Sequence, residues 1–104
     1  MSRRSTGWIS KRRRQQIYRR DNFRCLWCER KLRAEALALD HFVTLSRGGN
    51  DCTGNLFLAC VSCNSSRQNM SVWDFACERA EPLLGFMPEA TIARIVQNLS
   101  RPLR

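Results

Sequence analysis

Residues 37–64 read LALDHFVTLSRGGNDCTGNLFLACVSCN, and this stretch decides the fold. Its opening part, Leu37 to Leu45, carries the β-branched and aromatic types that favour a strand. Ser46 to Asp51, with two adjacent glycines followed by Asn-Asp, is a loop signal. Asn55 to Ala59 reads as a second short strand ending at Cys60. After Cys60-Val-Ser-Cys63, the polar run Asn64 to Met70 begins a helix at the knuckle. The expected order is strand, long turn, strand, helix.

Upstream, Cys25-Leu-Trp-Cys28 repeats the spacing of Cys60 and Cys63. A two-residue gap lets a tight turn aim both sulfurs at one tetrahedral ion, and two such knuckles complete a closed zinc site. A disulfide or redox pair is the alternative chemistry, and a reducing compartment disfavours it. Cys52 and Cys77 lack such partners and read as small hydrophobes. Residues 29–59 separate the knuckles, a longer insertion than the roughly 12 to 20 residues of simple fingers and ribbons. Zinc alone does not need that insertion, and it contains the single histidine, His41, preceded by Asp40.

The chain of 104 residues is one small domain with extensions. A core of that size often leans on a metal, a disulfide or a partner. Lys and Arg number 18 against 9 Asp and Glu, a net charge of +9. The excess lies in residues 1–33, where twelve basic groups face two acidic ones. This points to a polyanion, most simply nucleic acid, and away from a neutral small-molecule enzyme. The run is mostly arginine, which suits bidentate phosphate contact. Arg12, Arg13, Arg14, Arg19 and Arg20 are the phosphate-binding candidates, with a solvated helix as the plainer reading. Trp8, Tyr18 and Trp27 either stack on bases or pack in the core, packing being favoured for the last two.

The remaining elements follow from caps and periodicity. Residues 1–10 are expected to be a basic mobile tail, and Ser10 caps a helix over 11–20 that rests on Ile17 and Tyr18. Asp21-Asn22 reads as a turn. Ser71 caps a helix over 72–80, and Pro88 starts one over 88–99 with Ile92, Ile95, Val96 and Leu99 on one face. That stripe packs on the zinc core, a homodimer or assembly contact being the alternative. The domain boundaries expected are 1–10, 11–70 and a helical extension over 71–104. No apolar run spans a membrane and no secretory signal is visible, so a cytoplasmic or nucleoid setting, bacterial or phage-encoded, is expected.

Adjacent strand residues point to opposite faces, so Asp40 and His41 act in different directions. A hydrolase built from them uses His41 as imidazole base, with Asp40 and one further oxygen ligand, such as an asparagine, holding Mg²⁺ or Mn²⁺. Taken alone, the dipeptide reads more simply as a structural or surface histidine. The ordered set Cys25-x-x-Cys28, Asp40-His41, Ser46-Arg-Gly-Gly49, Asn55-Leu and Cys60-x-x-Cys63-Asn64, with Arg67, resembles the HNH endonuclease family in its four-cysteine, zinc-stapled branch. The resemblance covers roughly residues 12–69 and implies a small, zinc-stabilised α+β fold with a ββα-metal (His-Me finger) core. It also implies His41 as general base of a metal-dependent DNA endonuclease and Asp40 with Asn64 as holders of the catalytic cation. Asn55 would orient the His41 ring or tie down the loop, and Arg67 would contact phosphate or remain a solvated helix arginine. Thr44 stands where the family commonly has proline, a departure that bears on the strand exit. A binding module without catalysis, or a nuclease subunit of a larger phage or defence assembly, are the alternatives.

Overall fold

The computed structural model describes residues 9–103. Helix α1 spans Lys11–Arg20 and strand β1 spans Leu37–His41. Strand β2 covers Leu56–Cys60, followed by α2 over Val61–Arg67, α3 over Val72–Glu78 and α4 over Pro88–Leu99. The result is a small α+β fold in which β1 and β2 form one antiparallel pair, with Asp40 opposite Phe57 and His41 opposite Leu56.

Caps set the helices. Ser10 Oγ accepts the Arg13 N–H (3.1 Å) and Ser71 Oγ accepts the Asp74 N–H (3.0 Å), each at the helix start that its sequence marked. Helix α2 begins earlier than the polar run suggested, at Val61, because Cys60 serves as its N-cap and its sulfur accepts the Cys63 N–H. Helix α3 ends at Glu78, two residues short of the expected 80.

Strand β1 stops at His41 rather than continuing to Leu45. The reason is a change of partner: the Phe42 N–H still reaches the Asn55 carbonyl (2.8 Å), but Val43 then pairs with the side chain of Asn55. The chain turns through a short 3₁₀ segment, Leu45–Arg47, into Gly48 at φ +93°. Gly49 is required by proximity, since a Cβ there would lie 1.8 Å from the Val43 carbonyl oxygen. Thr44, three residues past the end of β1, has φ −65°, a value that a proline ring also adopts.

The main core gathers Trp27, Phe57, Phe75, Ala76 and Ile95 around the knuckle cysteines. Trp27 meets Phe75 edge-on (4.8 Å, 83°) and Phe57 likewise (5.7 Å, 65°). Helices α3 and α4 therefore share the core of the cysteine knuckles. On α4, Ile95 is fully buried, Ile92 and Leu99 are partly buried against the core, and Val96 remains exposed. Ile17 and Tyr18 anchor α1, and Ile9 is buried in a second cluster with Ile17 and Leu56, so the expected tail packs at its end. Trp8 lies outside the described residues. Cys52 and Cys77, read as small hydrophobes, are both exposed. No helix among the described residues is long and apolar enough to cross a membrane.

Candidate functional site

Cys25, Cys28, Cys60 and Cys63 bring their Sγ atoms within 4.8 Å of one another. A tetrahedral zinc bonded to thiolates at about 2.3 Å separates them by about 3.8 Å, so the four-cysteine cluster is compatible with zinc after a small contraction. Each knuckle turns on an N–H···S bond, Cys28 to Cys25 (3.4 Å) and Cys63 to Cys60 (3.3 Å). The hydrogen bond from Cys63 holds the Cys25 thiol down at about 5, and the same contact pushes Cys63 up. Cationic groups flank the sulfurs: Arg79 Nη2 lies 3.2 Å from Cys63 Sγ, and the exposed Arg30 guanidinium is raised by Cys28 and then Cys60. Such outer partners offset the negative charge of a tetrathiolate centre.

β1 presents its two polar residues to different environments, as alternation requires. Asp40 is 5% exposed and turned inward. Its Oδ2 accepts the Trp27 indole N–H (2.8 Å), and its Oδ1 accepts the His41 amide (2.8 Å) and Arg67 Nη1 (3.0 Å). Burial pushes its carboxyl up, and Arg67 first, then the Trp27 bond, opposes that shift. Arg67 is 1% exposed. Its guanidinium also reaches the carbonyls of His41, Phe42 (2.9 Å) and Met70 (3.0 Å) and lies 5.5 Å from the Trp27 ring centroid. The structure thus corrects both readings of Arg67, phosphate contact and solvated helix arginine: it ties α2 to the end of β1 from inside.

His41 faces the other way, its side chain 19% exposed, with Nε2 2.9 Å from Asp51 Oδ1. The Asn55 side chain makes its hydrogen bonds elsewhere than to the ring. Its Oδ1 accepts the Val43 N–H (2.8 Å), and its Nδ2 donates to the carbonyls of Val43 (3.0 Å) and Asn50 (2.8 Å). Of the two roles considered for Asn55, these bonds are those of a loop tie. Asn64 is half-buried on α2, three residues before Arg67 and so on its side of the helix.

The basic helix divides by face. Arg12 and Arg19 are exposed, and so is Arg14, whose Nε reaches the Ile9 carbonyl (3.3 Å). Arg20 is 7% exposed. It pairs with Asp21 (2.8 Å) and donates to the carbonyls of Thr53 (3.1 Å) and Leu56 (2.6 Å). Arg13 turns inward as well, donating to the Asp51 carbonyl. Arg13 and Arg20 are therefore bonded to the protein's own loop rather than open to a ligand.

Two side chains with partners far along the sequence are not legible in the sequence. Asp21 is a buried carboxylate whose Oδ2 accepts the Leu58 N–H (2.9 Å) on the outer side of β2, not a plain turn residue. Asp51 belongs in sequence to a loop signal, and in the structure its Oδ1 meets the His41 ring.

Residues 25–70 match the HNH endonuclease family model. This matched stretch, 25–70, is the HNH segment. The fold resembles the crystal structure of the type II-C Cas9 enzyme from Actinomyces naeslundii, with a TM-score of 0.60 at 20% identity. The likeness covers 96% of this chain and 14% of that one, and at this identity it concerns the fold. No curated protein matched the chain. The HNH segment runs over 25–70, so α1, α3 and α4 lie outside it.

Proposed function

We propose that the chain hydrolyses phosphodiester bonds in DNA, with His41 as the general base that activates water. The observation that carries this reading is the placement of the chain's single imidazole. It stands at the end of β1 inside the HNH segment, partly exposed and on the face opposite the buried Asp40. A positioned base contributes roughly 10² to 10⁴ in rate. In the same reading, zinc at the four sulfurs is structural, since all four tetrahedral positions are filled by cysteine.

The family implies a divalent cation, and the oxygen donors expected for it are Asp40 and Asn64. As the side chains stand, that pair does not fit one. Asp40 already accepts three N–H groups, and a guanidinium lies within hydrogen-bond distance of its Oδ1. A second cation there would meet that positive charge in a buried setting. Among the described residues, no second group of three or more His, Cys, Asp or Glu ligand atoms gathers elsewhere. In this arrangement Asp40 serves the fold. Asp40→Asn is expected to lower stability by about 1–3 kcal/mol in urea unfolding, because it leaves Arg67 buried without its charge partner. A variant that keeps wild-type stability and loses only cleavage would return Asp40 to the cation.

Arg12 and Arg19, seven residues apart, form an exposed basic stripe on α1 suited to backbone phosphates. Replacing either by alanine is expected to weaken binding to all duplexes alike and to reduce the slope of log K against log salt by about 0.9 per lost contact. Incubating supercoiled plasmid with the purified protein, with Mg²⁺, with Mn²⁺ or with chelator, tests the proposed activity. Loss of supercoiling is the expected result; an intact plasmid under every divalent cation would refute it.

A further inference from the structure

Resting on His41 as the base, we propose that Asp51 is the positioning residue that selects the working ring nitrogen and that α1 completes the site by bracing the loop carrying it. Asp51 Oδ1 lies 2.9 Å from His41 Nε2, and its side chain is 11% exposed. An ionised carboxylate only accepts hydrogen bonds, so Nε2 carries the proton and donates. In a neutral imidazole this leaves Nδ1 unprotonated, and Nδ1 is therefore the nitrogen that takes the proton from water. No covalent bond to the protein forms in that step. The water proton moves to Nδ1 as the water oxygen bonds to phosphorus. The phosphorus–oxygen bond to the leaving sugar breaks with its electron pair staying on that oxygen, which takes a proton from solvent, and Asp51 faces the positive charge that develops on the ring.

A loop carboxylate holds a ring only if the loop itself is held. Here the restraint comes from outside the HNH segment. Arg13 donates to the Asp51 carbonyl, and Arg20, two helical turns further along the same face, donates to the carbonyls of Thr53 and Leu56. Arg20 is itself fixed by a two-pronged pair with Asp21, at 2.8 and 3.0 Å. From the other side, Asn55 holds Val43 and Asn50, and the Asn50 side chain accepts the Cys52 N–H (3.0 Å). The inward face of the basic helix thus fixes residues 51–56, while its outward arginines remain for phosphate.

The single histidine makes this readable without resonance overlap. In protein with ¹⁵N-labelled imidazole, the Nε2 proton is expected downfield and slow to exchange in the wild type. It should be lost to fast exchange in Asp51→Ala and recovered in part in Asp51→Glu. Zinc content and DNA affinity should hold, while single-turnover cleavage falls about 10²-fold or more, toward the whole contribution of a positioned base. A slow Nε2 proton that persists in Asp51→Ala overturns the assignment. If Asp51→Ala fails to fold, Arg13→Met keeps the carboxylate and loosens only the loop. Faster exchange of the same proton supports the brace, and unchanged exchange overturns it. If no variant and no wild type cleaves DNA while the proton still depends on Asp51, the nuclease reading fails and the positioning role stands.

Discussion

Cys60→Ser is expected to unfold the protein and abolish metal retention. Cys60 ends β2, and its sulfur both belongs to the four-sulfur cluster and caps α2. Around that cluster lie Trp27, Phe57, Phe75 and Ile95, contributed by the first knuckle, β2, α3 and α4. Loss of the ion would remove what holds these elements together. Structural zinc sites contribute an apparent 10–16 kcal/mol, roughly, against a net stability of about 5–15 kcal/mol for an ordinary domain. Serine offers a poorer ligand for zinc and leaves a three-sulfur site. The checks are zinc stoichiometry, far-ultraviolet circular dichroism and a chelator titration of the wild type, which should unfold on metal removal. Acidification should act in the same direction, because protons compete with zinc for the thiolates and affinity falls with pH. A folded, zinc-free Cys60→Ser protein would contradict a structural site.

His41→Ala is expected to lower cleavage by about 10² to 10⁴-fold while leaving zinc content, fold and DNA affinity close to wild type. The small structural effect follows from the ring's bonding: it is partly exposed, and its hydrogen bond among the described residues is the one with Asp51. The phosphate-binding arginines proposed on α1 are not displaced by the change. Single-turnover kinetics at saturating protein separate the rate from affinity, so a fall in the rate with unchanged affinity is the expected pattern. A loss of affinity equal to the loss of rate would instead mark His41 as a binding residue.

Much of this fold was legible in the sequence because the signals are local. The paired Cys-x-x-Cys spacings, Ser10 and Ser71 as caps and Pro88 as a helix start each act within one turn of chain. Helices α1 and α4 accordingly match the expected 11–20 and 88–99. The end of β1 was not legible, since it depends on the Asn55 side chain replacing a backbone partner across the loop. The interior roles of Arg20, Arg67 and Asp40 depend on partners 27 to 36 residues away. A charged residue in sequence reads as exposed until such a partner is known. The same distance hid Asp51, ten residues from the ring that it meets. What the Asp40-His41 dipeptide did convey, through strand alternation alone, is that the two side chains work in different environments.

The most direct test is a paired measurement on wild type and His41→Ala, matched for zinc content and for duplex affinity: the single-turnover rate of supercoiled plasmid cleavage with Mg²⁺ or Mn²⁺. A base at His41 requires cleavage by the wild type and a fall of about 10² to 10⁴-fold in the variant. Equal rates in the two proteins would place the chemistry elsewhere and contradict His41 as the base.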